Sequence, residues 1–251
     1  KYKHGYTICI STQVGCKMNC QFCATGNSGF SRNLTASEML AQIQTAQIDN
    51  HIKISNVVLM GMGEPLDNYD NVIQFLKLVS SEDNLNIGMR HISLSTCGII
   101  NKIYDLANEN LQLTLSVSLH APNDSIRNTL MPINKNFNVD ELLKACKFYI
   151  IKTKRRISFE YAMISDINDS DDCAIELARK LSGMLCHVNL IPVNNIGVEK
   201  IFYEKSNQKR LEKFMNILSK YGINATVRRT LGADINASCG QLRRKATDLE
   251  V

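Results

Sequence analysis

The sequence predicts an α/β fold of parallel strands joined by helices. Three observations carry this. Short β-branched runs alternate with longer helical patterns about six times along the 251 residues, as βαβ units do. Several of these runs are apolar almost throughout, like strands buried on both faces. The polar and glycine-rich surprises fall just after the strands, at the carboxyl ends where parallel sheets gather ligands. Right-handed crossovers curl such a series into a barrel or wind it into an open sheet.

The expected strands are Thr7–Gln13, Asn56–Met62, His91–Cys97, Leu113–His120, Ile157–Ile164, His187–Val193 and Ala225–Thr230. Helical patterns lie near 35–50, 70–82, 101–109, 139–152, 169–183 and 206–221. Thr35-Ala-Ser-Glu38 reads as a capping box opening the first helix, and Asn68–Asp70 and Ser206 as further helix starts. No repeat, linker or low-complexity tract interrupts the pattern, so one domain over 1–251 is expected.

At 44% hydrophobic and 21% charged, the composition is that of an ordinary globular protein. No apolar run reaches the roughly 18 residues that a membrane helix needs. Lys1-Tyr-Lys-His opens no signal peptide. A cytoplasmic protein without a membrane partner is expected. The first strand begins almost at once, which suggests a fragment lacking an amino-terminal domain. Nine cysteines without an export signal argue for reduced thiols with chemical roles. The net charge of +5, with basic clusters at 152–156, 228–229 and 243–245, points weakly to a polyanionic partner.

Cys16-Lys-Met-Asn-Cys20-Gln-Phe-Cys23 packs three cysteines into eight residues with no fourth beside them. A structural zinc site wants four ligands, usually in two separated knuckles. A [4Fe–4S] cube held by three thiolates keeps one iron open to chelate a ligand. Cys9, Cys97, Cys146, Cys173, Cys186 and Cys239 are isolated along the sequence. One strand later comes Gly61-Met-Gly63-Glu64-Pro65. Its glycines let backbone approach a ligand, and its carboxylate can pair with an ammonium group. Ser95-Thr-Cys-Gly98 and Ser118-Leu119-His120 end the next two strands, and Asn194 follows the sixth. Each alone reads as a strand-end cap; at successive strand ends they suggest hydrogen bonds to a ribose, a carboxylate or an adenine edge. The tail, Gly232-Ala-Asp-Ile-Asn-Ala-Ser-Cys239-Gly240-Gln-Leu242, is polar and non-periodic. A cysteine there is poorly placed for a core and well placed for reaction.

The three-cysteine motif after a first βα strand resembles the radical S-adenosylmethionine (radical SAM) superfamily. From about Tyr6 to Leu242 the chain is similar to the RlmN/Cfr family of RNA adenine methyltransferases. The similarity rests on Ser11-Thr-Gln-Val-Gly-Cys16, Phe22-Cys23-Ala-Thr-Gly, Gly63-Glu64-Pro65-Leu-Asp-Asn, Ser118-Leu-His-Ala-Pro-Asn-Asp, Leu130-Met-Pro-Ile-Asn and Cys239-Gly-Gln-Leu. The resemblance implies a partial (βα)6-type barrel with an extra C-terminal strand and a tail loop. It implies that Cys16, Cys20 and Cys23 ligate a [4Fe–4S] cluster. Gly63, Glu64, Ser95, Ser118, Leu119, His120 and Asn194 would line the S-adenosylmethionine site.

The resemblance further implies two S-adenosylmethionine molecules per turnover. One methylates Cys239. The second, cleaved reductively, yields a radical that activates that methyl for addition to C2 of an adenine in 23S rRNA or tRNA. Cys9 then releases the product, leaving a Cys9–Cys239 disulfide. The electron donor would be a flavodoxin or ferredoxin. Family members also carry an amino-terminal accessory domain and a glutamate base upstream of the first strand, neither of which precedes Lys1. The Pro65-Leu-Asp-Asn continuation resembles the C2-methylating branch. The alternatives are a Cfr-like C8 methyltransferase, a non-catalytic iron–sulfur RNA-binding module, or a structural zinc protein.

Overall fold

The computed structural model describes residues 5–27, 29–193 and 203–228. The chain enters through β1 (Tyr6–Cys9), followed by β2 (Gln13–Gly15), the one-turn α1 (Ala24–Asn27) and β3 (Phe30–Asn33). Then α2 (Ala36–Asn50) leads to β4 (Ile54–Leu59), α3 (Tyr69–Ser80) to β5 (Ile92–Thr96), and α4 (Ile100–Asn108) to β6 (Thr114–Ser118). After β6 come α5 (Asp124–Leu130), α6 (Val139–Thr153) and β7 (Ile157–Met163). The series closes with α7 (Asp171–Leu181), β8 (Cys186–Pro192), α8 (Gln208–Lys220) and β9 (Ala225–Val227).

Seven strands form one parallel sheet in the order β1-β4-β5-β6-β7-β8-β9. It is a curled half-barrel, with β1 and β9 as its edges. The curl shows in one contact: Arg228, just past β9, donates to the Met60 sulfur, just past β4, at 3.8 Å. The apolar strand runs are buried on both faces, as in Leu115-Ser-Val117 of β6. Ile43, Phe75, Ile103, Leu142, Leu177 and Phe214 cover the sheet from α2, α3, α4, α6, α7 and α8. Each such side chain contributes about 1.5–3 kcal/mol on burial.

The Thr35–Glu38 capping box forms as expected, and Asn138 with Glu141 makes a second one on α6. The first strand departs from expectation. β1 stops at Cys9, and Gln13–Gly15 pairs antiparallel with β3 instead of extending the sheet. Polar bonds turn the chain away: Gln42 takes both the N–H and the C=O of Ser11, and Asn68 Nδ2 donates to Thr12 O at 2.8 Å. The last helix is capped by Asn207, while Ser206 is buried and donates to Asp169 at 2.7 Å. The short α5 lacks the length to show periodicity and was not expected from the pattern. Among the described residues, no helix is long and apolar enough to cross a membrane. The end of the seventh expected strand, Asn194 and Cys239 lie outside the described residues.

Candidate active site

The cysteine loop lies between β2 and α1, and its two flanks are joined by the β2–β3 pair. Cys16 N donates to Gly29 O at 2.9 Å, and Cys23 N to Cys20 O at 3.1 Å. Gln21 N donates to Leu130 O at 2.9 Å, which docks the loop on the end of α5. Met18, Cys20 and Phe22 pack there against Leu130, Met131 and Cys97.

The three cysteines line a cavity at the carboxyl ends of the sheet strands. Gly63, Glu64, Ser95, Ser118 and His120 line the same cavity. Leu119 does not: its side chain belongs to the core, and its backbone bonds Glu160 and Arg127. Cys9 is exposed at the end of edge strand β1 and is not among the lining residues.

Glu64 is buried on the rim. Its Oε2 accepts from Cys97 N at 2.7 Å and its Oε1 from Leu66 N at 3.0 Å. Burial pushes its pKa up against these bonds. The glycines before it serve the protein's own packing. A Cβ on Gly63, at φ +105, would stand 2.6 Å from Gln13 Cβ, and one on Gly61 would stand 2.7 Å from Ile10 O. Thr12 N and Met62 O close that contact at 2.9 Å. Both glycines also line the cavity, so the same bare backbone admits the segment after β1 on one side and faces the site on the other.

Burial raises the Cys16 thiol to about 11 and the Cys20 thiol further. Both are protonated at neutral pH, so a metal centre that took them as thiolates would release protons. Among the described residues, no three His, Cys, Asp or Glu side chains meet at one point as a single ion requires. A cubane asks instead for one thiolate at each of three iron corners. Three thiols spaced around one cavity fit that demand, and Glu64 beside them suits an ammonium group.

A sequence profile of the Radical SAM superfamily matches residues 10–178. A Clostridium tetani protein named "Probable dual-specificity RNA methyltransferase RlmN" is 59% identical over 245 residues, covering 98% of this chain and 70% of that relative. A Clostridium novyi protein of the same name is 57% identical over 244 residues, covering 97% and 71%. The chain belongs to the RlmN family of radical SAM enzymes. A radical SAM methyltransferase structure from Sphaerobacter thermophilus superposes with a TM-score of 0.92 at 45% identity, covering 97% of this chain and 72% of that one. Streptococcus suis SuiB bound to S-adenosylmethionine shares the fold, with a TM-score of 0.63 at 15% identity. Membership of the superfamily implies a [4Fe–4S] cluster and S-adenosylmethionine.

Around this RlmN-family site the structure adds residues that the sequence did not single out. Cys97 lines the cavity beside Glu64, although it looks isolated along the chain; Cys146, Cys173 and Cys186 are core cysteines. Arg127 is fully buried and joins the ends of β5 and β6. Glu160 stands inside β7, held by Asn189 at 2.8 Å and Ser158 at 3.1 Å, with Arg228 at 3.8 Å. Burial pushes its pKa up. A charged residue inside an apolar strand was the one available signal for Glu160. His120, at φ +57, accepts from Ala162 N through Nδ1 at 2.8 Å, and its ring meets Phe22 edge-on at 4.7 Å. Burial, helped by the Arg127 charge, lowers its pKa to about 3. The ring is therefore neutral and carries its proton on Nε2.

Proposed function

We propose that the chain methylates C2 of an adenine in 23S rRNA and of an adenine in a tRNA anticodon loop. One observation carries this reading. Three cysteine thiols, a buried glutamate and successive strand ends share one cavity in a chain 57–59% identical to relatives named dual-specificity RNA methyltransferases.

In this reading Cys16, Cys20 and Cys23 hold the cluster. Gly63, Glu64, Ser95, Ser118, His120 and Asn194 hold S-adenosylmethionine, and Leu119, buried between Ser118 and His120, sets the backbone that presents those two. The cluster and S-adenosylmethionine together supply the one-electron chemistry that an electron-poor C2 requires. Glu64 receives the ammonium of the methyl donor, since its carboxylate is already oriented by two backbone N–H groups. His120 stays neutral and offers Nε2–H as a donor. Cys239 carries the methyl group as S-methylcysteine, supplied by one of two S-adenosylmethionine molecules per turnover. Cys9 is its resolving thiol, with a Cys9–Cys239 disulfide as by-product. Cys239 lies eleven positions beyond Arg228, which lines the cavity. An extended chain of that length spans at most about 36–40 Å, which permits Cys239 to reach across the mouth. The protein works as one cytoplasmic catalytic domain with a flavodoxin- or ferredoxin-type donor.

The test is mass spectrometry of nucleosides from rRNA and tRNA of a host lacking its own such activity, with and without the protein. Appearance of 2-methyladenosine in both RNAs is the expected result. Finding 8-methyladenosine instead would move the chain to the C8 branch. Absence of any methyladenosine from a host containing cluster-loaded protein would leave an RNA-binding role.

A further inference from the structure

Arg127 is among the largest fully buried side chains of the molecule. Its Nε donates to Leu119 O at 3.0 Å, and Nη1 to Asn134 Oδ1 at 2.9 Å. Nη2 donates to Cys97 O at 2.7 Å and to Ser118 O at 3.0 Å. All four acceptors are neutral oxygens. The geometry is satisfied, but the charge is not matched, and an unmatched buried charge is costly. Asp124, one helical turn earlier, does not touch it; the Asp124 Oδ1 is taken by Val139 N and Asn134 Nδ2.

Through Cys97 O the guanidinium is fixed at the wall of the cavity that the three loop cysteines line. The groups it interacts with electrostatically are the Cys97, Cys20 and Cys146 thiols and, last of them, Asp124. The cysteine loop is docked on the end of the same helix, through Gln21 N to Leu130 O at 2.9 Å and through Cys20, which packs against the apolar cluster that contains Leu130, Met131 and Cys97. A cluster core bound by three thiolates is anionic. It gains a further negative charge when a low-potential one-electron donor reduces it. A fixed cation nearby stabilises the reduced form more than the oxidised one.

We propose that Arg127 is the buried counter-charge of the cysteine loop, a positioning residue that stabilises the anionic cluster and raises its reduction potential. The proposal rests on the cluster reading, and the two fail separately: iron and sulfide content tests the cluster, the midpoint potential tests Arg127.

The experiment loads the whole chain with iron and sulfide under anaerobic conditions. It then titrates wild type, Arg127→Gln, Arg127→Met and Arg127→Lys against dithionite, followed by electron paramagnetic resonance. The neutral variants are expected to bind iron and to show a reduced-to-oxidised ratio about tenfold smaller at a given potential, a shift of about 59 mV for a one-electron couple. Arg127→Lys is expected to remain near wild type. Neutral variants that hold iron at the wild-type potential would overturn the proposal. So would a lysine variant shifted as far as the glutamine one, because the effect would then follow the fork's shape and not its charge. If neither neutral variant folds, the lysine variant decides alone. A clamp that works only through its four bonds fails with lysine; a counter-charge leaves an iron-replete protein at the wild-type potential.

Discussion

The two sides of the cavity rim are built by different means. On the side of β1, β4, β5 and β6, the bonds between loops have a backbone group at one end or both. Gly61 N bonds Ile10 O and Thr12 N bonds Met62 O, while Glu64 and Arg127 take the N–H and the C=O of Cys97. On the side of β7, β8 and β9, Glu160 is held by the side chains of Asn189 and Ser158, with Arg228 at the longer distance of 3.8 Å. Backbone bonds leave little to rearrange when a ligand arrives. A carboxylate held by side chains retains lone pairs that a ligand hydroxyl or amine can use. The first side is thus preorganised to hold a cofactor, and the second is the more adaptable.

The sharpest way to break the contrast is to empty the first side. Replacing Cys16, Cys20 and Cys23 together with alanine is expected to abolish iron binding while the circular dichroism of the fold persists. Iron and sulfide retained by that variant would show that the loop is not their site. Next in size is Gly63→Ala. With φ at +105 and Gln13 Cβ at 2.6 Å from the new methyl, the rim must shift, at a cost of about 1–3 kcal/mol or more. Urea unfolding measures it, and an unchanged midpoint would mean that the close approach is not a constraint.

His120 gives a pH-dependent test on the boundary between the two sides. Its folded pKa, about 3, lies below the ordinary value of 6.5. As pH falls below 6.5 the unfolded chain gains a proton that the folded one refuses, so this stabilisation is lost toward pH 3. The slope is about 1.4 kcal/mol per pH unit where the difference is complete. His120→Asn is expected to flatten the stability profile between pH 6 and 4 relative to wild type, and parallel profiles would contradict the assignment. The smallest effect belongs to the second side. Arg228 is about one-third exposed and stands 3.8 Å from Glu160, so Arg228→Leu is expected to cost less than about 1 kcal/mol. A loss as large as that of Gly63→Ala would show that both sides are equally fixed.

Much of this rim was legible in the sequence, for physical reasons that differ by residue. Cys16, Cys20 and Cys23 stand out because three thiols fall within eight residues of one loop. The strand-to-helix alternation follows from burial on both faces of the sheet. Cys97, Arg127 and Glu160 were not legible as a site, because the fold assembles them from separate strands and helices, and each looks ordinary beside its own neighbours. The β2–β3 hairpin was missed because three- and four-residue strands carry no readable period. For Gly61 and Gly63 the close approach to Ile10 and Gln13 was not legible, since a sequence does not say which backbone a glycine must admit.

That hairpin has a consequence in the language of coordination chemistry. By joining Gln13 to Asn33 and Gly15 to Phe30, it ties both ends of the cysteine loop and would make it, on the proposed reading, a closed tridentate ligand. A thiolate that let go of its metal would be held nearby by the ring and would return before its two neighbours had also released. The loop would thereby gain a chelate effect from a few backbone bonds lying outside the motif, and weakening the hairpin is expected to accelerate metal loss without touching a single donor atom.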